Sequence, residues 1–217
     1  MLSRLRKTAL SILILTAVMN SFGSSFGLPE KLLQLVRAEY GSIAEARLRT
    51  WQNLIEETTD SEDLNKLSLV NDFFNESEFV NDIDQWNKKD YWATPIEFLI
   101  HDAGDCEDFS IAKYFTLREM GVEASKLRIT YVKSLSLNQA HMVLAYYPSP
   151  SAEPLILDNI NKIIRPASER QDLQPVYSFN AQSLWVARSR NEQLQAGKSS
   201  QIGHWQDLVS RMEIALN

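Results

Sequence analysis

The spacing of apolar residues changes from helical to strand-like near the middle of the chain, and this change constrains the fold most. In the first half, apolar residues recur every three or four positions, at Leu32, Leu33, Val36 and Tyr40. In the second half they alternate with polar residues, at Leu127, Ile129 and Tyr131. Helices that precede strands in this way predict an α+β fold, with a helical N-terminal half packed on an antiparallel β-sheet.

Other segments follow one of these two patterns. Helical spacing continues through residues 43–55 and 64–74, and returns in a closing helix at Trp205, Leu208, Val209 and Met212. Residues 141–147 and 155–158 predict further strands, joined by a proline- and serine-rich turn. After residues 185–187 the chain becomes polar, and only the closing helix is predicted beyond that point.

The first residues have the composition of an export signal. A basic start precedes the apolar run Ala9–Met19, which is shorter than the roughly 20 residues that span a bilayer. Small residues follow, where a signal peptidase can cut. We therefore expect a cleaved signal peptide over residues 1–27, export to the periplasm, and one domain over residues 28–217; an uncleaved anchor is the alternative.

The charge and the cysteine count exclude several classes of function. Loss of residues 1–27 removes three basic residues and no acidic ones, so the net charge moves from −6 to −9. Such a surface repels phosphate backbones, which argues against a nucleic-acid partner. Cys106 is the single cysteine, so neither an internal disulfide nor a multi-cysteine metal site can form, and a lone thiol in an exported protein suggests chemistry.

Cys106 lies where a helix is predicted to begin. The apolar spacing after residues 104–108 runs to Gly121, a residue that commonly ends helices, so Cys106 falls in the first turn. The positive end of the helix dipole stabilises a thiolate there. The adjacent acids Asp105, Glu107 and Asp108 act in the opposite direction, so an imidazolium or a bound cation must offset them.

His141 and Asp158 are predicted to meet across two strands. If residues 155–158 pair antiparallel with residues 141–147 around a turn between Ser149 and Pro150, paired positions sum to 299. His141 then lies directly opposite Asp158, within reach of its side chain. The carboxylate would accept the Nδ1–H of the imidazole, leaving the other ring nitrogen to take the thiol proton. His101 and His204 are expected to be surface or packing residues.

The three acids around Cys106 also offer the hard oxygen ligands that Ca²⁺ prefers. From spacing alone, a solvated acidic face explains Asp105, Glu107 and Asp108 equally well. Residues 81–84 have some features of a calcium loop, but they lack the glycine and the final glutamate of an EF-hand and are discounted.

Several sequence blocks together resemble those of the bacterial transglutaminase-like cysteine proteinases, and among them the LapG-type periplasmic proteases that release large surface adhesins. The main blocks are Asp90-Tyr91-Trp92-Ala93-Thr94-Pro95, Gly104-Asp105-Cys106-Glu107-Asp108-Phe109, Ala112-Lys113-Tyr114, His141-Met142-Val143-Leu144-Ala145-Tyr146-Tyr147 and Leu157-Asp158-Asn159. Arg170-Gln171-Asp172-Leu173 and Tyr177-Ser178-Phe179-Asn180 extend the resemblance, which covers roughly residues 70–185.

The resemblance implies a papain- or transglutaminase-like fold and a calcium-dependent cysteine endopeptidase. Cys106, His141 and Asp158 would be nucleophile, base and orienting acid, and Asp105, Glu107 and Asp108 would hold Ca²⁺. The implied substrate is the N-terminal region of an RTX-like adhesin, cut beside a dialanine to control biofilm attachment. The implied inhibitory partner is an inner-membrane receptor for cyclic di-GMP.

Three points stay open at the level of sequence. The same triad can pass the acyl group to an amine, as transglutaminases do, because hydrolysis and transfer share the first half-reaction. A catalytically silent module that binds calcium and peptides is a further alternative. The Cys106 backbone N–H is a natural oxyanion donor, and the Trp92 indole is a candidate for the second donor, although packing explains that residue as well.

Overall fold

The computed structural model describes residues 26–189 and 192–216, so the predicted signal peptide lies almost wholly outside the described residues. Within them the α-helices are Glu30–Tyr40 (α1), Ser42–Thr58 (α2), Asp63–Phe74 (α3), Asp82–Gln85 (α4), Pro95–His101 (α5), Cys106–Glu119 (α6) and Gly203–Leu216 (α7). None of these described helices is long and apolar enough to cross a membrane.

The first helices bury most of the apolar faces that the sequence predicts. Leu33 of α1 and Trp51 of α2 are almost completely buried. Tyr40 and Ile43, which share the same spacing, are instead 51% and 74% exposed. They flank Gly41, whose φ of 91° ends α1 and turns the chain into α2, so the helical period is interrupted between them. The predicted helices are confirmed. The prediction that Tyr40 and Ile43 face the core is wrong.

The second half of the chain forms one antiparallel sheet. The strands are Glu78–Phe79 (β1), Ala103–Gly104 (β2), Leu127–Ser134 (β3), Gln139–Tyr146 (β4), Leu155–Leu157 (β5), Arg165–Pro166 (β6), Leu173–Phe179 (β7), Leu184–Ser189 (β8) and Glu192–Gly197 (β9). Strands β1 and β2 pair separately, in parallel. The other strands lie in the order β6-β5-β4-β3-β7-β8-β9, and every neighbouring pair is antiparallel. The predicted α+β class is confirmed.

Strand β9 lies in the polar segment where the sequence predicts no strand. It pairs with β8 at one edge of the sheet, where Leu194 lies opposite Val186 and both side chains are largely exposed. An edge strand with solvent on its faces needs no alternating apolar pattern, because its backbone hydrogen bonds hold it to its neighbour. Apolar periodicity therefore does not detect it.

Helix α6 is the central helix of the fold. It packs against β3 and β4 on one side and against α3 and α5 on the other. Phe109, Ile111, Tyr114 and Leu117 are almost completely inaccessible, as expected for a helix that is surrounded by other elements. Gly121, with a φ of 87°, follows the end of α6 as predicted.

The pairing of β4 with β5 differs from the predicted register by two residues. Leu144 lies opposite Leu157, so paired positions sum to 301 rather than 299. His141 is therefore displaced diagonally from Asp158 instead of lying directly opposite. A shift of two residues keeps both side chains on the same face, because side chains alternate with a period of two. Diagonal neighbours on one face remain within reach of long side chains.

Candidate active site

Cys106 is the first residue of α6, and a buried carboxylate fixes the turn that precedes it. Asp108 accepts a hydrogen bond from the Ala93 N–H at 2.7 Å through Oδ1 and from the Asp105 N–H at 3.3 Å through Oδ2. The carboxylate thereby ties the start of α6 to the segment before α5. The thiol is held at the positive end of the helix dipole, where thiolates are stabilised.

The immediate surroundings of the thiol are acidic. The Cys106 Sγ donates a hydrogen bond to Oε2 of Glu107 at 3.0 Å. Burial raises the pKa of the thiol well above its usual range, and the charges of Glu107 and Asp105 raise it further. The backbone N–H of Met142 points to the sulfur and lowers that pKa. Because Met142 follows His141 in β4, the start of this strand lies against the sulfur.

His141 and Asp158 form the contact that the sequence predicts. The imidazole Nε2 and the carboxylate Oδ1 are 2.8 Å apart, and both side chains are buried. The prediction that Nδ1 faces the acid is wrong, because Nε2 makes this contact. Nδ1 is the ring nitrogen left for a proton from a thiol.

Asp158 is held as a carboxylate by several donors. Oδ1 also accepts the Ile160 N–H at 3.0 Å, and Oδ2 accepts Nη2 of Arg170 at 2.7 Å. Burial alone would raise the pKa of Asp158, but the hydrogen bonds from His141, Ile160 and Arg170 outweigh it and hold the pKa below its ordinary value. An ionised acid in this position orients the imidazole and stabilises the imidazolium.

Arg170 is a part of the site that sequence reasoning missed. Its guanidinium also binds both oxygens of Asp172, at 3.0 and 2.8 Å, which fixes its orientation toward Asp158. Asp172 lies two positions after Arg170, so this ion pair is local in the sequence. Nothing in the sequence indicates that the same guanidinium also binds Asp158, which lies 12 residues before Arg170.

An acidic cluster adjoins the thiol. Carboxylate oxygens of Asp82, Asp105 and Asp108 lie within 4.8 Å of one another, and so do those of Asp82, Asp90 and Glu107. Oδ1 of Asp82 and Oδ1 of Asp105 are buried and, within residues 26–189 and 192–216, accept no hydrogen bond. Buried oxygens without donors are costly unless a cation or a proton neutralises them.

The electrostatics of this cluster fit a hard cation. Burial raises the pKa of Asp82 to about 6, and burial together with the charges of Glu107 and Asp108 raises the pKa of Asp105 to about 10. Several carboxylates at such short separation repel one another, and oxygen-rich sites of this kind suit Ca²⁺. Asp82 belongs to the segment that the sequence analysis discounted, because tertiary packing rather than a loop motif places it in the cluster.

The predicted ligand roles of Asp105, Glu107 and Asp108 stay predictions. Asp108 has a separate structural role, since both of its oxygens accept backbone hydrogen bonds. Burial raises its pKa well above the usual range, although the Ala93 N–H lowers it.

The other residues singled out from the sequence make packing contacts. The Trp92 ring stacks on Phe179 and on His204, with centroids 5.6 Å apart in both pairs. His101 packs edge-on against two aromatic rings. The oxyanion role of Trp92 stays a prediction.

This chain is similar in both sequence and fold to known proteins. A profile of the bacterial transglutaminase-like cysteine proteinases matches residues 44–191. No curated protein sequence matches. EGTA-treated LapG of Legionella pneumophila is 45% identical, with 87% of this chain and 100% of that chain covered and a TM-score of 0.75. Calcium-bound LapG of the same organism is 45% identical, with coverage of 84% and 98% and a TM-score of 0.73. The chain therefore belongs to the family of bacterial transglutaminase-like cysteine proteinases.

Proposed function

We propose that this chain is a calcium-dependent cysteine endopeptidase with Cys106 as nucleophile, His141 as base and Asp158 as orienting acid. The supporting observation is the buried 2.8 Å contact between His141 and Asp158, at the strand end that lies against the Cys106 sulfur. A thiol at a helix start beside an acid-oriented imidazole is the arrangement needed to activate a nucleophile.

The reaction proceeds through an acyl-enzyme. Nδ1 of His141 takes the thiol proton, and the thiolate of Cys106 attacks the peptide carbonyl carbon. The developing oxyanion accepts the Cys106 backbone N–H, which has no partner within the helix because it lies in the first turn. The imidazolium then protonates the leaving amine. Water, deprotonated by His141, attacks the thioester, and the protonated thiol is restored with release of the acid.

Asp105 and Glu107 are the proposed calcium ligands beside the thiol, with Asp82 as a further ligand from α4. Calcium supplies positive charge that offsets the acids around Cys106. Two features support this assignment: the unpartnered buried oxygens of Asp82 and Asp105, and the existence of LapG structures in calcium-bound and EGTA-treated forms.

The proposed substrate is the periplasmic N-terminal region of a large RTX-like surface adhesin, cut beside a dialanine to release it and to control biofilm attachment. Small residues at the cut site would let an extended peptide approach Cys106 closely. The proposed compartment is the periplasm, reached through the signal peptide of residues 1–27. An inner-membrane cyclic di-GMP receptor is the proposed inhibitory partner. These assignments rest on the family resemblance.

Incubation of the purified protein with candidate adhesin N-terminal segments tests the proposal. We expect cleavage by the wild type, no cleavage by Cys106→Ala, loss of cleavage with EGTA, and recovery when calcium is added in excess. A labelled amine in the same reaction separates the outcomes, because its incorporation into the product would indicate acyl transfer instead of hydrolysis. Cleavage by Cys106→Ala at the wild-type rate would refute the assignment of the nucleophile.

A further inference from the structure

A buried lysine links the helix that carries Cys106 to the backbone of Asp158. Lys113 lies seven residues after Cys106 on α6, and Ser110 lies between them, so all three share one side of the helix. The Lys113 side chain is almost completely buried. Within the described residues, no carboxylate lies at ion-pair distance from its Nζ, which is an unusual state for a buried ammonium.

The contacts of Lys113 explain how the ammonium is accommodated. Its Nζ donates to Oδ1 of Asn75 at 2.8 Å, to Oδ1 of Asn71 at 3.0 Å and to the backbone carbonyl of Asp158 at 3.2 Å. Burial lowers the pKa of Lys113 to about 7, and in the protonated form each of its three N–H donors meets one of these oxygens. Hydrogen bonds from a charged donor are stronger than neutral ones, which favours a fixed geometry at each oxygen.

The backbone of Asp158 needs such support because β5 ends at Leu157. The ladder with β4 therefore does not hold the Asp158 carbonyl. That carbonyl accepts Nδ2 of Asn75 at 2.9 Å in addition to Nζ of Lys113. The loop beyond it is held to α3 as well, since Nζ of Lys162 donates to the Asn75 carbonyl at 2.6 Å.

We propose that Lys113 is a positioning residue of the active site, which holds the backbone of Asp158 at a set distance from the helix that carries Cys106. This inference rests on the proposed function of the Cys106, His141 and Asp158 triad. Lys113 lies about two helical turns below the thiol and does not reach a substrate. Its removal should therefore change the rate of the chemical step and leave substrate binding almost unchanged.

The test compares Lys113→Met with Lys66→Met. Lys66 is a second buried lysine, and its Nζ donates to the Met120 carbonyl at 2.8 Å, away from Asp158. Both variants lose a buried ammonium and keep a long apolar side chain. We expect Lys113→Met to lower kcat by about 10- to 100-fold with KM within about twofold of the wild type, because small misplacements of reacting groups cost this much. We expect Lys66→Met to keep kcat within about twofold.

The same substitution made in an Asp158→Asn protein shows whether Lys113 acts through Asp158. In Asp158→Asn the orienting carboxylate is already lost, so adding Lys113→Met should lower kcat by no more than about twofold. The rate of Cys106 alkylation by iodoacetamide should follow the same pattern without any substrate. An equal decrease in both backgrounds, or a kcat of Lys113→Met equal to that of the wild type, would overturn the proposal.

A third variant covers the case in which Lys113→Met does not fold. Asn75→Ala removes one acceptor of the ammonium together with the direct bond from Asn75 to the Asp158 carbonyl. It should lower kcat in the wild-type background and have little effect in Asp158→Asn; equal effects in the two would again contradict the role. Failure of the proposed function is seen separately, as cleavage by Cys106→Ala at the wild-type rate.

Discussion

Replacement of Gly104 by alanine probes the packing that fixes the start of α6. A Cβ at this position would lie 2.7 Å from Oδ2 and 2.8 Å from Cβ of Asp108, and 2.8 Å from Cδ2 of Phe98. Two carbon atoms pack best at about 3.5–4.0 Å, so the two carbon–carbon contacts are each about 0.7 Å too short. The two neighbouring side chains are buried, and Asp108 is held by two backbone hydrogen bonds, so neither can move freely.

The magnitude follows from two opposing effects. Overpacking of a buried site costs about 1–3 kcal/mol. A glycine-to-alanine change restricts the unfolded chain, which stabilises the folded state by about 0.4–1 kcal/mol. The net loss should be about 1–2 kcal/mol, which corresponds to a decrease in Tm of about 2–8 °C for a chain of this size. Displacement of Asp108 should also slow the alkylation of Cys106.

Gly203→Ala is the matched control, because a Cβ at Gly203 meets no atom within 4 Å and α7 begins there. Calorimetry of both variants and the wild type measures the difference. Gly203→Ala should have a Tm equal to or slightly above that of the wild type. A Gly104→Ala protein with the wild-type Tm and the wild-type alkylation rate would refute the view that this contact constrains the site.

Three further predictions concern the carboxylates. Removal of calcium by EGTA should lower Tm, since saturation at 100 times the dissociation constant stabilises by about 2.7 kcal/mol; an unchanged Tm in calorimetry would contradict the calcium site. Asp82→Asn should weaken calcium binding in titration calorimetry but stabilise the calcium-free protein, because burial raises the pKa of Asp82 to about 6 and makes its charge costly. Exposed Asp60→Asn is the control, and equal effects of the two substitutions would contradict this role. The pKa of Asp158 lies below its ordinary value, so its contribution to stability is complete above about pH 4 and is lost as the pH falls. The difference in urea stability between wild type and Asp158→Asn should therefore shrink from pH 7 to pH 3, and a constant difference would argue against this linkage.

The features that the sequence predicts well have a local or periodic signal. The start of α6 at Cys106 follows from apolar spacing and a terminal glycine, and the contact between His141 and Asp158 follows from two strands around a short turn. The predicted register is wrong by two residues. Residues 147–154 form a longer loop, and its centre lies one position later than the tight turn predicted between Ser149 and Pro150. His141 still contacts Asp158, because a shift by an even number of residues keeps both side chains on the same face of the sheet.

The features that the sequence does not predict depend on long-range packing of polar groups. Asp82 reaches the acidic cluster from a short helix, and Arg170 reaches Asp158 from a loop beyond β6. Lys113 occupies a position that a helical pattern assigns to the core, although its ammonium is satisfied by α3 and by the loop after β5. Single polar residues of this kind carry no periodicity, so only the assembled fold identifies their partners.

The acid of the site lies between the two shortest strands of the antiparallel sheet. Strand β5 has three residues and its outer neighbour β6 has two, so few ladder hydrogen bonds resist a local opening of this edge. An opening that also breaks the bonds from Asn75, Lys113 and Arg170 to Asp158 would separate this acid from His141 while the central strands remain folded. Amide hydrogen exchange should therefore be faster at this edge than in β3 or α6, and heat should inactivate the enzyme below the temperature at which the whole domain melts.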